Sequence, residues 1–350
     1  MKQFIIGFLG AILMMRVLGR GFSLFPENIM PEFSNHIIII ACLWVIIGII
    51  LHELGHLFCG LATGYKFNSL QLGNLLWFKV DKKIKLRFSK AFELGQCLME
   101  PSENELEFKY FWYNFGGIFV NLIIVLISLL ALRVGGLNDF WSDFFLSGAI
   151  LNGVFMLMNG IPIPATYNDG SVIYSLSKSQ DARRGFRASM ILYCALNKGH
   201  RYRDLSPELF KVEKHANLKN YWIANLVLLE YARLDDLGEV EAEMKELQRL
   251  NVEKVPKVIK LQVKINLIYY HLTVDADYQR ARELYECKTV KNSLHGITRA
   301  QVAYTYFALD EKLSGKALLK QAEKEIERLP YKGLQEMEFE ELEKLKALMA

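Results

Sequence analysis

Ile37-Ile-Ile-Ile-Ala-Cys-Leu-Trp-Val-Ile-Ile-Gly-Ile-Ile-Leu51 carries no charge and runs directly into His52-Glu53-Leu54-Gly55-His56. From Ile37 to Ala62 the strongly polar side chains are His52, Glu53 and His56. About 20 apolar residues are enough for a helix to cross a bilayer, so this stretch reads as a membrane span with ionisable groups near one end. Such groups are costly in hydrocarbon unless they are paired or face a wet cavity. On a helix, positions i and i+4 share a face, which points His52 and His56 the same way with Glu53 beside them. Two imidazoles with an adjacent carboxylate form the H-E-x-x-H pattern of two zinc ligands and a general base. The plain alternative is a set of polar residues at a wet helix end. The surrounding span favours the site.

Outward from this stretch, the 350 residues are 52% apolar, but the long uncharged runs fall almost entirely before residue 170. After residue 200 the chain reads as charged, soluble and helical. The length leaves room for two domains. A net charge of +4 without a basic-aromatic patch gives no case for a nucleic-acid partner. The cysteines (Cys42, Cys59, Cys97, Cys194, Cys287) are odd in number and scattered, so neither a disulfide framework nor a C-x-x-C pair is indicated.

Residues 3–15 form a short apolar run after Lys2. A signal peptide begins in this way, but no small-x-small cleavage site stands out, and a retained first span is expected. Pro26, Asn28 and Pro31 mark a loop over 20–35. After the motif helix, Lys83-Ile-Lys-Leu-Arg-Phe88 alternates basic and apolar residues with period two. Together with Phe67–Gly73 and Leu75–Val80 it predicts two or three short strands over about 66–90. Residues 93–107, with five glutamates around Pro101, are expected to be a solvated loop. Tyr110–Leu132 is uncharged over 23 residues and holds Gly116-Gly-Ile-Phe-Val-Asn121. Glycines there let another helix approach, and an asparagine in a span bonds across a helix interface. Phe144–Asn168 is also uncharged, broken by Asn159-Gly-Ile-Pro162-Ile-Pro164 and followed by Asp169-Gly170. Non-helical backbone at membrane depth must be buried in protein or line a cavity, and a third metal ligand is expected at Asp169.

Loop charge gives an orientation. Residues 65–92 and 178–203 each hold seven Lys/Arg, while 134–143 hold none and 20–35 only Arg20. The positive-inside rule places the strands and the C-terminal half in the cytoplasm, with His52, His56 and Asp169 all towards that side. In the C-terminal half, Trp222–Leu234, Val258–Leu272 and Arg299–Leu309 each precede a charged amphipathic segment, and Tyr231, Tyr270 and Tyr306 recur 39 and 36 residues apart. Asp277-Tyr-Gln-Arg-Ala-Arg-Glu-Leu-Tyr285 resembles the second helix of a tetratricopeptide repeat. A plain helical bundle is the alternative.

The predicted fold is mainly α. Residues 1–35 hold a first span and loop, 36–199 a polytopic membrane core with a small membrane-associated sheet (about four spans in all), and 200–350 an all-α, repeat-like soluble domain.

These motifs closely resemble the site-2 protease family of intramembrane zinc metalloproteases, over residues 36–175. The resemblance rests on His-Glu-Leu-Gly-His56 with Gly60 and Gly64 following, on Gly-Gly-Ile-Phe-Val-Asn121, and on Asn159-Gly-Ile-Pro-Ile-Pro164 leading to Asp169-Gly170. The family pattern ends Pro-x-Pro-x-Leu-Asp-Gly; here Ala-Thr-Tyr-Asn168 fills the place of two residues, and the family's usual PDZ insertion is absent. The resemblance implies a zinc ion on His52, His56 and Asp169, a zinc-bound water as nucleophile, and Glu53 as general base. Asn159 or Asn121 would contact the oxyanion or substrate. The implied activity is cleavage of a transmembrane protein or peptide precursor in or near its membrane segment, with a strand edge near 66–90 receiving the unwound substrate. The lipid bilayer and a protein bound at the C-terminal helices are the other expected partners. The lean loops fit a multi-pass protein of a bacterial plasma membrane. The competing expectations are a catalytically inactive, membrane-anchored helical-repeat adaptor and, behind it, a transporter. For the last, the broken helix has no counterpart in a second half.

Overall fold

A computed structural model describes residues 37–80, 82–102, 108–163, 167–250, 254–286, 299–329 and 331–350. The span expected at 3–15, the loop at 20–35, Pro164 and Cys287 lie outside the described residues. Among those residues the chain is mainly helical, with twelve α-helices and one two-stranded sheet.

Among the described residues, three helices are long and apolar enough to cross a membrane: α1 (Ile37–Ala62), α2 (Tyr110–Val134) and α3 (Asp139–Gly160). Such a set is compatible with a membrane protein. Helix α1 stops in a Schellman turn, where Gly64 takes φ +94°, its N–H bonds the Leu61 carbonyl, and the Tyr65 N–H bonds that of Gly60. Helix α3 begins five residues before the uncharged run read from the sequence. Asn138 caps it by accepting from the Trp141 N–H at 3.1 Å, which draws Asp139 and Asp143 into the helix. It ends at Gly160, since Pro162 has no N–H to extend the ladder.

Helices α1 and α2 meet backbone to backbone. A Cβ on Gly55 would lie 2.3 Å from the Gly116 carbonyl oxygen, and one on Gly116 equally close to that of Gly55. Ile40, Trp44, Ile124 and Leu151 fill the space between the three helices, and the Trp44 indole N–H donates to the Phe144 carbonyl at 2.7 Å. Ile39, Ile46, Phe58, Leu126 and Leu130 are exposed on the outer faces, the surface that lipid tails would cover.

Strands β1 (Lys66–Val80) and β2 (Lys83–Glu100) pair with each other across a turn at Lys82, whose φ is +64°. The sequence predicted two or three short strands ending near 90 and a solvated loop over 93–107. Instead β2 continues to Glu100, because Cys97, Leu98 and Met99 are buried despite the glutamates around them.

The chain forms two compact units. The first holds the three long apolar helices, β1 up to Leu72, residues 94–97 of β2, and the chain to Tyr174; the second holds residues 73–93, 98–108 and 175–350. After α4 (Asp169–Lys178), helix α5 (Gln180–Asn197), read from the sequence as part of the membrane half, belongs to the second unit. Its Ala188, Leu192 and Leu196 pack with Leu226 and Leu229 of α6 (Tyr221–Leu237) and Met337 of α12 (Lys332–Leu348). Between these, α7 (Val240–Leu250), α8 (Lys257–Thr273), α9 (Tyr278–Tyr285), α10 (Arg299–Ala303) and α11 (Lys312–Ile326) continue the second unit. Leu247, Leu250, Ile259 and Val263 form one core, and Ile268, Val302, Tyr304 and Leu345 another. Beside these cores Arg299 pairs with Asp235 at 2.5 Å and Glu341 at 3.1 Å, its guanidinium over the Tyr269 ring.

Candidate metal centre

His52 and His56 lie one turn apart on α1, and both are buried. Their Nε2 atoms approach each other to 3.1 Å. Asp169 opens α4, where the positive end of the helix dipole favours a carboxylate. Its Oδ2 lies 3.2 Å from His52 Nε2 and 3.4 Å from His56 Nε2.

Three neighbouring features hold Asp169 there, although its loop is two residues longer than the family pattern. Asn168 Nδ2 donates to the Met158 and Ile161 carbonyls, at 2.5 and 2.7 Å, at the end of α3. Its Oδ1 accepts from the Ser171 N–H at 3.0 Å, the bond of an N-cap. Gly170 closes the contact, since a Cβ there would sit 2.1 Å from the Gly160 carbonyl oxygen.

The outward nitrogen of each imidazole is also engaged. His56 Nδ1 lies 2.8 Å from the Tyr113 carbonyl oxygen. A carbonyl can only accept, so His56 carries a proton on Nδ1, and the neutral imidazole then turns its lone pair at Nε2 inward. His52 Nδ1 lies 2.7 Å from Asn121 Oδ1, which imposes the same tautomer. Two lone pairs and a carboxylate oxygen therefore face one another. Asp169 Oδ2 is buried and, among the described residues, has no hydrogen-bond donor. With both imidazoles neutral such a set of mutual acceptors repels until a proton or a metal cation enters it, and these atoms, all within 4.8 Å of one another, could hold a metal ion.

Glu53 faces strand β2. The Cys97 N–H hydrogen-bonds its carboxylate, and a Cβ on Gly95 would lie 2.6 Å from Glu53 Oε1. Tyr113 braces this strand from α2, its hydroxyl donating to the Cys97 carbonyl at 2.6 Å. Gly117, also on α2, lies against the His52 ring. The two asparagines read from the sequence are placed differently. Asn121 is at the cluster, with its oxygen on His52 and its Nδ2 donating to Asn152 Oδ1 at 2.9 Å. Asn159 Nδ2 donates to the Phe155 carbonyl of its own helix, 3.1 Å away. Asn152, Asn168, Gly95 and Tyr113 were not singled out from the sequence. Only Asn168 carried a usable signal there, as a helix-capping residue type directly before Asp169.

No family model, curated protein or solved structure matches this chain. The functional reading therefore stands on the residues themselves.

Proposed function

We propose that this chain is a zinc-dependent intramembrane endopeptidase of the site-2 protease kind. The observation that carries the reading is the convergence of His52 Nε2, His56 Nε2 and the donor-less Asp169 Oδ2 beside a buried carboxylate. Ligands about 2.0–2.1 Å from a tetrahedral zinc stand about 3.3–3.4 Å apart. The separations of 3.1, 3.2 and 3.4 Å fall on or just inside that edge.

His52, His56 and Asp169 would hold the zinc ion, which would supply an acidified water and polarise a peptide carbonyl. Glu53, with its carboxylate fixed by the Cys97 N–H, would take the proton of the attacking water and return it to the leaving amine. Asn121 is engaged at both ends, and the Asn159 amide, which gives one N–H to the Phe155 carbonyl, keeps a second N–H that would bond the carbonyl oxygen.

The substrate is a transmembrane protein or peptide precursor, unwound locally and laid along the hairpin. The protein is multi-pass in a cell membrane, a bacterial plasma membrane by its lean loops. Its helix pairs after residue 200 face the cytoplasm as a tetratricopeptide-like platform for a protein partner.

Metal analysis of the detergent-purified chain tests the ion, with about one zinc per chain expected. Proteomics of membrane-released peptides tests the base: Glu53→Gln keeps the zinc and abolishes cleavage. A metal-free chain overturns the proposal and leaves the membrane-anchored adaptor. Undiminished cleavage by Glu53→Gln removes Glu53 from the chemistry.

A further inference from the structure

A chain of buried amides runs from α3 through α2 to the first imidazole. Asn152 Nδ2 donates to the Gly148 carbonyl at 2.9 Å, Asn152 Oδ1 accepts from Asn121 Nδ2 at 2.9 Å, and Asn121 Oδ1 meets His52 Nδ1 at 2.7 Å. Asn121 and Asn152 are fully buried. We infer that Asn152 and Asn121 are positioning residues, a relay that starts at the Gly148 carbonyl and fixes His52 as the tautomer whose Nε2 lone pair faces the metal. The inference rests on the metal-centre reading above and adds two residues to it.

Each link is forced by the one before. The Gly148 carbonyl has only lone pairs, so the Asn152 amide must turn its NH2 towards it. That leaves the Asn152 oxygen facing Asn121, so Asn121 must present its own NH2 there. Its oxygen then faces His52, and only a proton on Nδ1 completes the bond. Reversing any single amide sets two donors or two acceptors against each other in a dry interior, at a cost of about 1–3 kcal/mol.

His56 needs no such relay, because its Nδ1 reaches the Tyr113 carbonyl directly. Among the described residues no backbone carbonyl meets His52 Nδ1, and the two amides carry the polarity of one across the bundle. Gly48 on α1 makes room for the chain, since a Cβ there would lie 3.1 Å from Asn152 Oδ1 and 2.7 Å from the Phe155 ring. Packing alone would need neither the order nor the direction of these bonds. A leucine fills the same volume as an asparagine without the polarity, and this separates the two accounts.

The test uses the full chain in detergent and reads zinc affinity by competition with a chromophoric chelator. Asn152→Leu frees the Asn121 amide to reverse and is expected to weaken zinc binding about 10–100-fold. Asn152→Asp still accepts from Asn121, whether protonated or not, and stays within about threefold of wild type. Nitrogen-15 spectra of histidine-labelled, zinc-free protein read the tautomer itself. His52 Nδ1 is protonated in wild type and Asn152→Asp, and loses its proton in Asn152→Leu.

Equal weakening by both variants, weakening by neither, or an unprotonated His52 Nδ1 in wild type overturns the relay. Should Asn152→Leu fail to fold, Asn121→Asp against Asn121→Leu decides in the same way, since aspartate keeps an acceptor for His52 and leucine does not. If wild type binds no zinc, the metal-centre reading falls, and the nitrogen spectra still decide the relay.

Discussion

Gly117→Ala adds one methyl group at the most crowded point beside the histidines. The new Cβ would lie 2.4 Å from His52 Cε1, 2.5 Å from Nε2 and 2.6 Å from Nδ1. Ordinary carbon contacts begin near about 3.5 Å, so the ring must retreat by roughly 1 Å. The 2.7 Å bond from Nδ1 to Asn121 then stretches beyond hydrogen-bond range, and Nε2 leaves its place opposite His56 and Asp169. Loss of a partner behind a metal-ligating histidine costs about 10–100-fold in metal affinity, or about 1.4–2.8 kcal/mol. Helix propensity acts in the opposite direction, since alanine is preferred to glycine by about 1 kcal/mol in a helix interior. Gly153→Ala on α3 is the control, because its nearest neighbour is Val125 Cγ2 at an unstrained 3.9 Å. The assay is chelator competition for zinc on both detergent-purified variants, with helix content followed by circular dichroism. Gly153→Ala is expected to bind zinc as wild type does, and Gly117→Ala to lose affinity while keeping its helices. Wild-type affinity in a folded Gly117→Ala would mean that the His52 ring is not held against α2, and the geometry argued here would be wrong.

Gly95→Ala should separate the proposed base from the proposed ligands. A Cβ 2.6 Å from Glu53 Oε1 displaces the end of a flexible carboxylate and leaves the histidines alone, so zinc affinity is retained while release of membrane peptides falls about 100-fold; parallel loss of both would place Glu53 among the ligands. In the second unit, burial, with Asp235 and Glu341 outweighing Arg299 and Lys344, pushes Glu243 up from 4.5 to about 7. Its folded-state value is raised, so its contribution to stability is fully present below about pH 4.5 and is lost as pH rises through about 7, a difference of roughly 3 kcal/mol at most. Hydrogen exchange across α7 should therefore slow in Glu243→Gln relative to wild type at pH 8 and match it at pH 5; equal exchange at pH 8 would refute the burial argument.

How much was legible follows from how local each cause is. The H-E-x-x-H pair could be read because i and i+4 fall on one helix face whatever surrounds them. Asp169 was legible as a carboxylate after a proline-broken span. Its arrival between the imidazoles depends on the Asn168 bonds to the Met158 and Ile161 carbonyls, which cross the gap where α3 stops. Strand β2 was read short because Glu93 and Glu100 look like loop residues, whereas the strand is decided by the burial of Cys97, Leu98 and Met99 between them. The start of α3 was hidden by Asp139 and Asp143, and the Asn138 cap outweighs their charge. Asn152 left no local trace: an asparagine in a span signals a partner somewhere, and only the approach of α2 shows that the partner is Asn121.

In lipid, helices gain no hydrophobic driving force from one another, so close packing and buried polar bonds would have to hold three such helices together. Here the same contacts do both tasks. Gly55 and Gly116 bring the backbones of α1 and α2 together, and that approach places the Tyr113 carbonyl on His56 and Gly117 beneath His52. Gly48 brings α1 onto α3 at the level of Asn152, which polarises Asn121 and through it His52. A side chain at any of these glycines would push apart the surfaces that fix ring orientation, even where it touches neither imidazole. It follows that the tautomers belong to the packing of the bundle as a whole. The H-E-x-x-H helix supplies the two imidazoles, and its neighbours decide that their Nε2 atoms point to one place.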